Sequence, residues 1–254
     1  MSMNLGSTAI GSLYLGSTKI GEAYLGSVKV YASADPYNPL NLPAHTMRLQ
    51  FTSGFTPVSE YGDITLTQVS ASPNVWDITW MGPSMDGTSF ANLFAEYLSG
   101  YDQVTAVLGF NATGIVSMES AFRDCTQLTS VALFYMGDIE STYEMFSGCT
   151  SLTTVADFNM PIAVDCTEMF SGCTSLTAVP HLVLQNQWED LDTSSMFYGC
   201  VNVQSGALTL YNELSTQTKP PRRHVNMFTN CGSNTVTGAA ELSQIPSSWG
   251  GTGA

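Results

Sequence analysis

The octapeptide MFSGCTSL stands at Met145–Leu152 and again at Met169–Leu176, 24 residues further on. Aligned on it, the segments at 97–110 (YLSGYDQVTAVLGF), 121–134 (AFRDCTQLTSVALF), 145–158 (MFSGCTSLTTVADF) and 169–182 (MFSGCTSLTAVPHL) superpose with the same shift. Two more copies, MFYGCVNV from Met196 and MFTNCGSN from Met227, follow at intervals of 27 and 31. A fixed period in this range predicts units that bury their apolar side against neighbouring copies because none can do so alone. The fold class expected is an α+β solenoid, a stack of short strand plus short helix units.

Within a unit, Ile139, Thr142, Met145 and Phe146 are spaced by three and one, which reads as one stripe of a short helix ending at Gly148-Cys149. Leu152 and Val155 then lead into a short strand. Stacking would align Phe122, Phe146, Phe170, Phe197 and Phe228 in one internal column and Leu128, Leu152 and Leu176, with Val104, in another. Five cysteines, Cys125, Cys149, Cys173, Cys200 and Cys231, share one repeat position, and Tyr101 holds it in the first copy. Neighbouring strands lie about 4.8 Å apart, slightly beyond the usual disulfide Cβ separation. Buried free thiols are therefore expected, with disulfides as the alternative; Cys166 falls outside the ladder and is read as a core residue. No CxxC pair exists, and His45, His181 and His224 do not complete a zinc site, so no metal is assigned.

The chain before the repeats has a shorter rhythm. Leu5, Leu15 and Leu25 are ten residues apart, with Ile10, Ile20 and Val30 halfway between and glycines following. Such steps predict very short strands and tight turns, and residues 1–33 are read as an attachment and oligomerisation module. Gly16 to Gly21 has the glycine spacing of a phosphate-binding loop, but Glu22 and Ala23 occupy the required Lys and Ser or Thr places, so no nucleotide or other cofactor is expected. Residues 34–44 (ADPYNPLNLPA) read as a linker. Residues 45–90, with TMRLQF, DITLTQVS and VWDITWM, predict a small antiparallel β cap, with Trp76 and Trp80 on one face; residues 91–254 form the repeat region and its C-terminal cap.

Composition narrows the function classes. Charged residues are 11% of the chain, against about 25% in ordinary soluble domains, and their place is taken by Ser, Thr, Asn, Gln and Gly. The net charge of −14 repels phosphate backbones and anionic lipid, which argues against nucleic acid. The N-terminus lacks the pattern of a secretion signal and no segment has the apolar length of a membrane helix, so neither export by that route nor insertion is expected. Paired carboxylates in a defined cleft, a GxSxG elbow, an HExxH helix and a Cys-His couple are missing, so no catalytic residue is assigned and an enzyme is not expected. Glu189, Asp190 and Asp192 form an acidic loop read as solvated, and Asn111-Ala-Thr113 is a formal glycosylation sequon.

At the repeats, the pattern MF-x-x-C-x-x-L followed by LTSV or LTTV resembles the BspA-like leucine-rich repeats of bacterial surface proteins and of phages that infect gut bacteria. The resemblance covers about residues 93–240 and rests on Phe146, Cys149, Leu152, Val155 and their copies; it makes the expected stack leucine-rich-repeat-like. The N-terminal LGSTKIGEAYLGSVKVY is similar to short repeats near the start of phage tail and fibre proteins, and GAAELSQIPSSWGG resembles the ending of such proteins, where Trp249 would cap the last repeat. The resemblance implies binding, not a reaction. The expectation is a phage virion fibre or appendage, attached to other virion proteins through Leu5, Ile10, Leu15, Ile20, Leu25 and Val30, and touching a host-surface glycan or protein. Tyr135, Trp188, Tyr198 and Tyr211 are the candidate ligand residues, and a homotrimer is favoured. A purely structural virion decoration or connector, and a bacterial surface adhesin, are the alternatives.

Overall fold

A computed structural model describes residues 13–15, 18–20, 22–25, 28–32, 40–59, 64–80, 92–94, 98–185 and 190–253. In the N-terminal segment, β1 (Leu13–Leu15) pairs antiparallel with β2 (Thr18–Ile20), and β3 (Glu22–Leu25) with β4 (Val28–Ala32). The ten-residue rhythm is thus a pair of short hairpins. Leu15, Ile20, Leu25 and Val30 lie in these strands, whereas Leu5 and Ile10 fall outside the described residues.

The centre of the molecule is a mixed six-stranded sheet. Its members are β5 (Thr46–Phe51), β6 (Ile64–Ala71), β7 (Asn74–Trp80), β8 (Val104–Phe110), β9 (Ser130–Val131) and β10 (Thr154–Val155), in the order β10-β9-β8-β5-β7-β6. The β5–β7, β6–β7 and β5–β8 pairs are antiparallel, and β8, β9 and β10 run parallel. Alternation in TMRLQF explains β5: Met47, Leu49 and Phe51 are buried, while Arg48 lies opposite Asp77 on β7 and holds it bidentately at 2.6 and 2.8 Å. Trp80 is buried and Trp76 half-buried. The β5–β8 pairing carries the sheet across residue 90, so the β cap and the first repeat share one sheet. The end of the 34–44 segment also joins this body: Leu42 is buried and its carbonyl accepts from Asn111 Nδ2 at 2.9 Å.

The expected α+β solenoid of strand-plus-helix units is overturned. Among the described residues the helices are α1 (Ala207–Ser215) and α2 (Val236–Leu242), both within or after the widened last intervals, and sheet and turns make up the rest apart from single helical turns. The span read as a helix, Ile139–Gly148, is a chain of tight turns. Its amides bond three residues back, as in Ile139 to Met136 (3.2 Å), Met145 to Thr142 (3.0 Å) and Cys149 to Phe146 (3.2 Å). Glu144 and Gly148 sit at φ +52° and +74°, a left-handed conformation that interrupts any α-helix. The i, i+3 spacing that suggested a helix is the period of these turns.

What the repeat period does set is backbone register. β9 pairs with β8 and with β10 at a shift of 24, and β11 (Phe158–Met160) runs parallel to β12 (Leu182–Leu184) at the same shift. Parallel bridges link Ser117, Ser141, Asp165, Asp192 and Arg223 in turn, so the intervals of 27 and 31 appear as bulged rungs of one ladder. On the turn side, alternate amides donate towards the next rung: Ser120, Phe122 and Asp124 to the carbonyls of Tyr143, Met145 and Ser147 at 2.8, 2.9 and 2.8 Å, while the amides between them bond three residues back. On the strand side they donate both ways, Thr153 to Thr129 of the preceding rung at 3.0 Å and Phe158 to His181 of the next at 3.0 Å.

Inside the ladder, Phe122, Phe146, Phe170, Phe197 and Phe228 stack face to face with centroids 5.2 to 6.0 Å apart and planes within 15°. A second column, Phe110, Phe134 and Phe158, packs tilted at 5.5 and 5.2 Å. Leu128, Leu152, Leu176 and Val104 are fully buried. Trp249, on a 3-10 turn at Ser247–Trp249, closes the far end: its carbonyl accepts from Phe228 N–H at 2.9 Å, and its indole stacks on His224 at 3.9 Å.

Candidate functional site

All six cysteines are free and buried. Cys149, Cys173 and Cys200 each donate their thiol to the Phe carbonyl of the preceding rung, to Phe122, Phe146 and Phe170 at 3.0, 3.2 and 3.1 Å. The ladder position is therefore a hydrogen-bonded filler and not a reactive one. Burial pushes every one of these thiols up, Cys166 to about 12, which keeps them protonated and weakly nucleophilic. Among the described residues no group of three or more His, Cys, Asp and Glu is placed to hold a metal ion, and no helix is long and apolar enough to cross a membrane.

The described aromatic ligand candidates, Tyr135, Tyr198 and Tyr211, have different surroundings. Tyr135 is half-buried with its hydroxyl 3.3 Å from Asp138 Oδ1; Tyr198 stands alone and exposed on the turn side; Tyr211 packs edge-on against Trp249 at 5.3 Å. Trp188 and Glu189 lie outside the described residues. Asp190 is exposed, and Asp192 caps its own turn by accepting Ser194 N–H at 2.9 Å while Arg223 approaches at 3.4 Å. Burial works to raise the Asp192 pKa, but these hydrogen bonds and the guanidinium outweigh it and hold the carboxyl below its usual range. Asn111 of the sequon spends its side chain on Leu42 and on the Thr113 hydroxyl, 2.9 Å each.

A cleft of about 820 Å³ opens instead at the near end of the ladder. Phe94, buried, closes the phenylalanine column there with its ring 5.9 Å from Phe122. Tyr101 is half exposed and lines the same cleft, facing solvent where the other units bury a cysteine. It is held by a turn in which Gln103 and Val104 N–H bond the Gly100 carbonyl at 2.9 and 3.2 Å. Gly100 sits at φ +97° directly beneath the Phe55 ring, where a Cβ would have no room. The charged lining is Asp102, Arg123 and Asp124. Arg123 pairs with the buried Glu144 of the next rung and lies 3.7 Å from Asp124, so its guanidinium is held between two carboxylates. Asp102 and Asp124 both add, after burial, to the upward push on the Cys125 thiol, which puts both carboxylates at this end of the ladder.

Sequence reasoning missed this cleft. The one signal was the break in the cysteine ladder at Tyr101, since an aromatic at a position meant for a small buried side chain has to turn outwards. The second phenylalanine column was also missed, although LGF, ALF and ADF repeat at Phe110, Phe134 and Phe158 with the same 24-residue shift. No protein-family model, no curated protein and no solved structure matches this chain.

Proposed function

We propose that this chain is an appendage protein of a phage virion, mounted through residues 1–33 and presenting its repeat ladder to glycan on a bacterial surface. The observation that carries the reading is that 126–131, 150–155 and 174–179 hold no charged residue over three rungs, their leucines being buried and their threonines at 129, 153 and 177 exposed. Thr129, Thr153 and Thr177 project there, each hydroxyl donating to the carbonyl of the preceding rung at 2.9, 2.9 and 3.3 Å. Hydroxyls held by the backbone lose little rotamer freedom on binding, and an uncharged polar array suits an uncharged, hydroxyl-rich partner. The likeness of the repeats to BspA-like units and the hairpins at the N-terminus agree with a mounted binding module that carries out no reaction, and the short hairpins suit a threefold mount.

The test is binding of the purified full chain to whole gut-bacterial cells before and after periodate oxidation of their surface sugars, with solution mass read alongside. Binding that disappears on oxidation, by an oligomer with three chains, supports the reading. Attachment to virion subunits with no binding to any cell replaces it with a structural connector.

A further inference from the structure

We infer that the cleft at the near end of the ladder is a saccharide subsite, with Tyr101 as the stacking face and Asp102, Arg123 and Asp124 as the polar groups that select a neutral pyranose. The inference rests on the glycan-binding reading and gives it an address. A volume of about 820 Å³ lies inside the span usual for small-molecule sites, roughly 300–1,000 Å³. A half-exposed aromatic ring beside carboxylates and a guanidinium meets both surfaces of a pyranose. Its C–H face packs on the ring, and its hydroxyl rim donates to the carboxylates and accepts from the arginine. Ser120, Thr126 and Asn92 add neutral partners around the same opening.

Pre-organisation is what sets this cleft apart from an ordinary surface patch. The Tyr101 backbone is set by the Gly100 turn under Phe55, Arg123 is paired with Glu144, and the Asp124 carboxylate lies over Gly148, 3.7 Å from Arg123. The carboxylates outnumber the one cation that lines the opening, so an anionic sugar such as a uronate or a sialoside meets net repulsion, and a neutral one does not. Tyr101 contributes little to the core because half of it is already in solvent. Removing it therefore separates recognition from folding.

The experiment is a printed glycan array probed with the full-length wild-type chain, Tyr101→Ala, Asp124→Asn and, as a surface control, Val236→Ser, each with a melting curve. Asn tolerates the left-handed backbone at 124, so that variant keeps the turn. The expected result is binding confined to neutral glycans, weakened about tenfold or more by Tyr101→Ala and Asp124→Asn at unchanged melting temperature, and unaffected by Val236→Ser. Neutral-glycan binding that survives both cleft variants overturns the cleft assignment while the adhesion reading stands. Binding confined to acidic glycans overturns the selectivity argument. Failure of the wild-type chain to bind any glycan overturns both readings together.

Discussion

Replacing Phe170 by alanine tests the ladder at its tightest point. The ring is fully buried and stacked on both faces, 5.4 Å from Phe146 and 5.2 Å from Phe197. The rungs that carry those neighbours cannot close the gap, because Phe146 and Phe170 N–H are bonded to Met169 and Met196 carbonyls at 2.8 and 2.9 Å. A Phe→Ala change in a core costs about 3–5 kcal/mol, most where the site cannot collapse, and two lost ring contacts are each worth about 0.5–1.5 kcal/mol. A loss of about 4–5 kcal/mol is expected, a large share of the roughly 5–15 kcal/mol that holds a typical domain. Phe228 stacks on a single phenylalanine, at 6.0 Å, so Phe228→Ala should cost about 3 kcal/mol. Phe170→Leu keeps most of the volume and should cost about 1–2 kcal/mol. Urea unfolding monitored by circular dichroism, with m held common, measures all three. Equal losses at Phe170 and Phe228, or a Phe170→Ala loss below about 2 kcal/mol, would refute the argument that rigid rungs prevent collapse.

Other outcomes follow from the same geometry. In the native protein none of the six thiols should react with a chromogenic disulfide at pH 8, and all six should react in denaturant. Stability should fall with alkali: above its ordinary value of 9.0 the unfolded Cys166 thiol ionises while the folded one stays protonated until about pH 12. The unfolded chain then holds fewer protons, and stability is lost at about 1.4 kcal/mol per pH unit for this one group across that window. Asp192 works in the opposite sense. Its lowered pKa stabilises the fold above the ordinary carboxyl value and the contribution disappears as pH falls through the folded value, so Asp192→Asn should flatten the acid limb of a pH titration of stability. Gly172 sits at φ +73° with only ordinary contact beyond it, whereas Asn230 holds the matching left-handed position in a later rung at φ +60°. Gly172→Asn should then melt within a few degrees of wild type, and Gly172→Val should lose about 1–2 kcal/mol.

The part of this molecule legible in the sequence was its register. Intervals between cysteines became intervals between hydrogen-bonded rungs, because a parallel bridge needs like positions side by side and the residues that fill one buried slot must recur with it. The units' secondary structure was misread for a local reason. Turns that bond three residues back place Ile139, Thr142 and Met145 inward just as a helix would, and only the left-handed residues at 144 and 148 distinguish the two. Glycine at 148 could be read as a helix end, while Glu144 gave no warning, since a positive φ at glutamate is not visible in its identity. The merging of the β cap with the first unit was equally hidden, because β5 and β8 lie more than fifty residues apart in the chain. The cleft was half legible: Tyr101 was recognised as the odd member of the ladder, but what an odd member does depends on which end of the ladder it occupies.

The alternate turn-side amides that cross between rungs in one direction have an electrical meaning. Peptide groups aligned head to tail polarise a structure, as they do in a helix, with partial negative charge at the carbonyl end. Here three parallel strings of such bonds run from Ser120, Phe122 and Asp124 through the later rungs to Val225, Trp249 and Thr229, so the carbonyl end is the one at which the cleft opens. The strand side donates both ways and so adds little net field of its own. Donor groups approaching Tyr101 therefore enter a region that the backbone itself makes electronegative, before any carboxylate is counted.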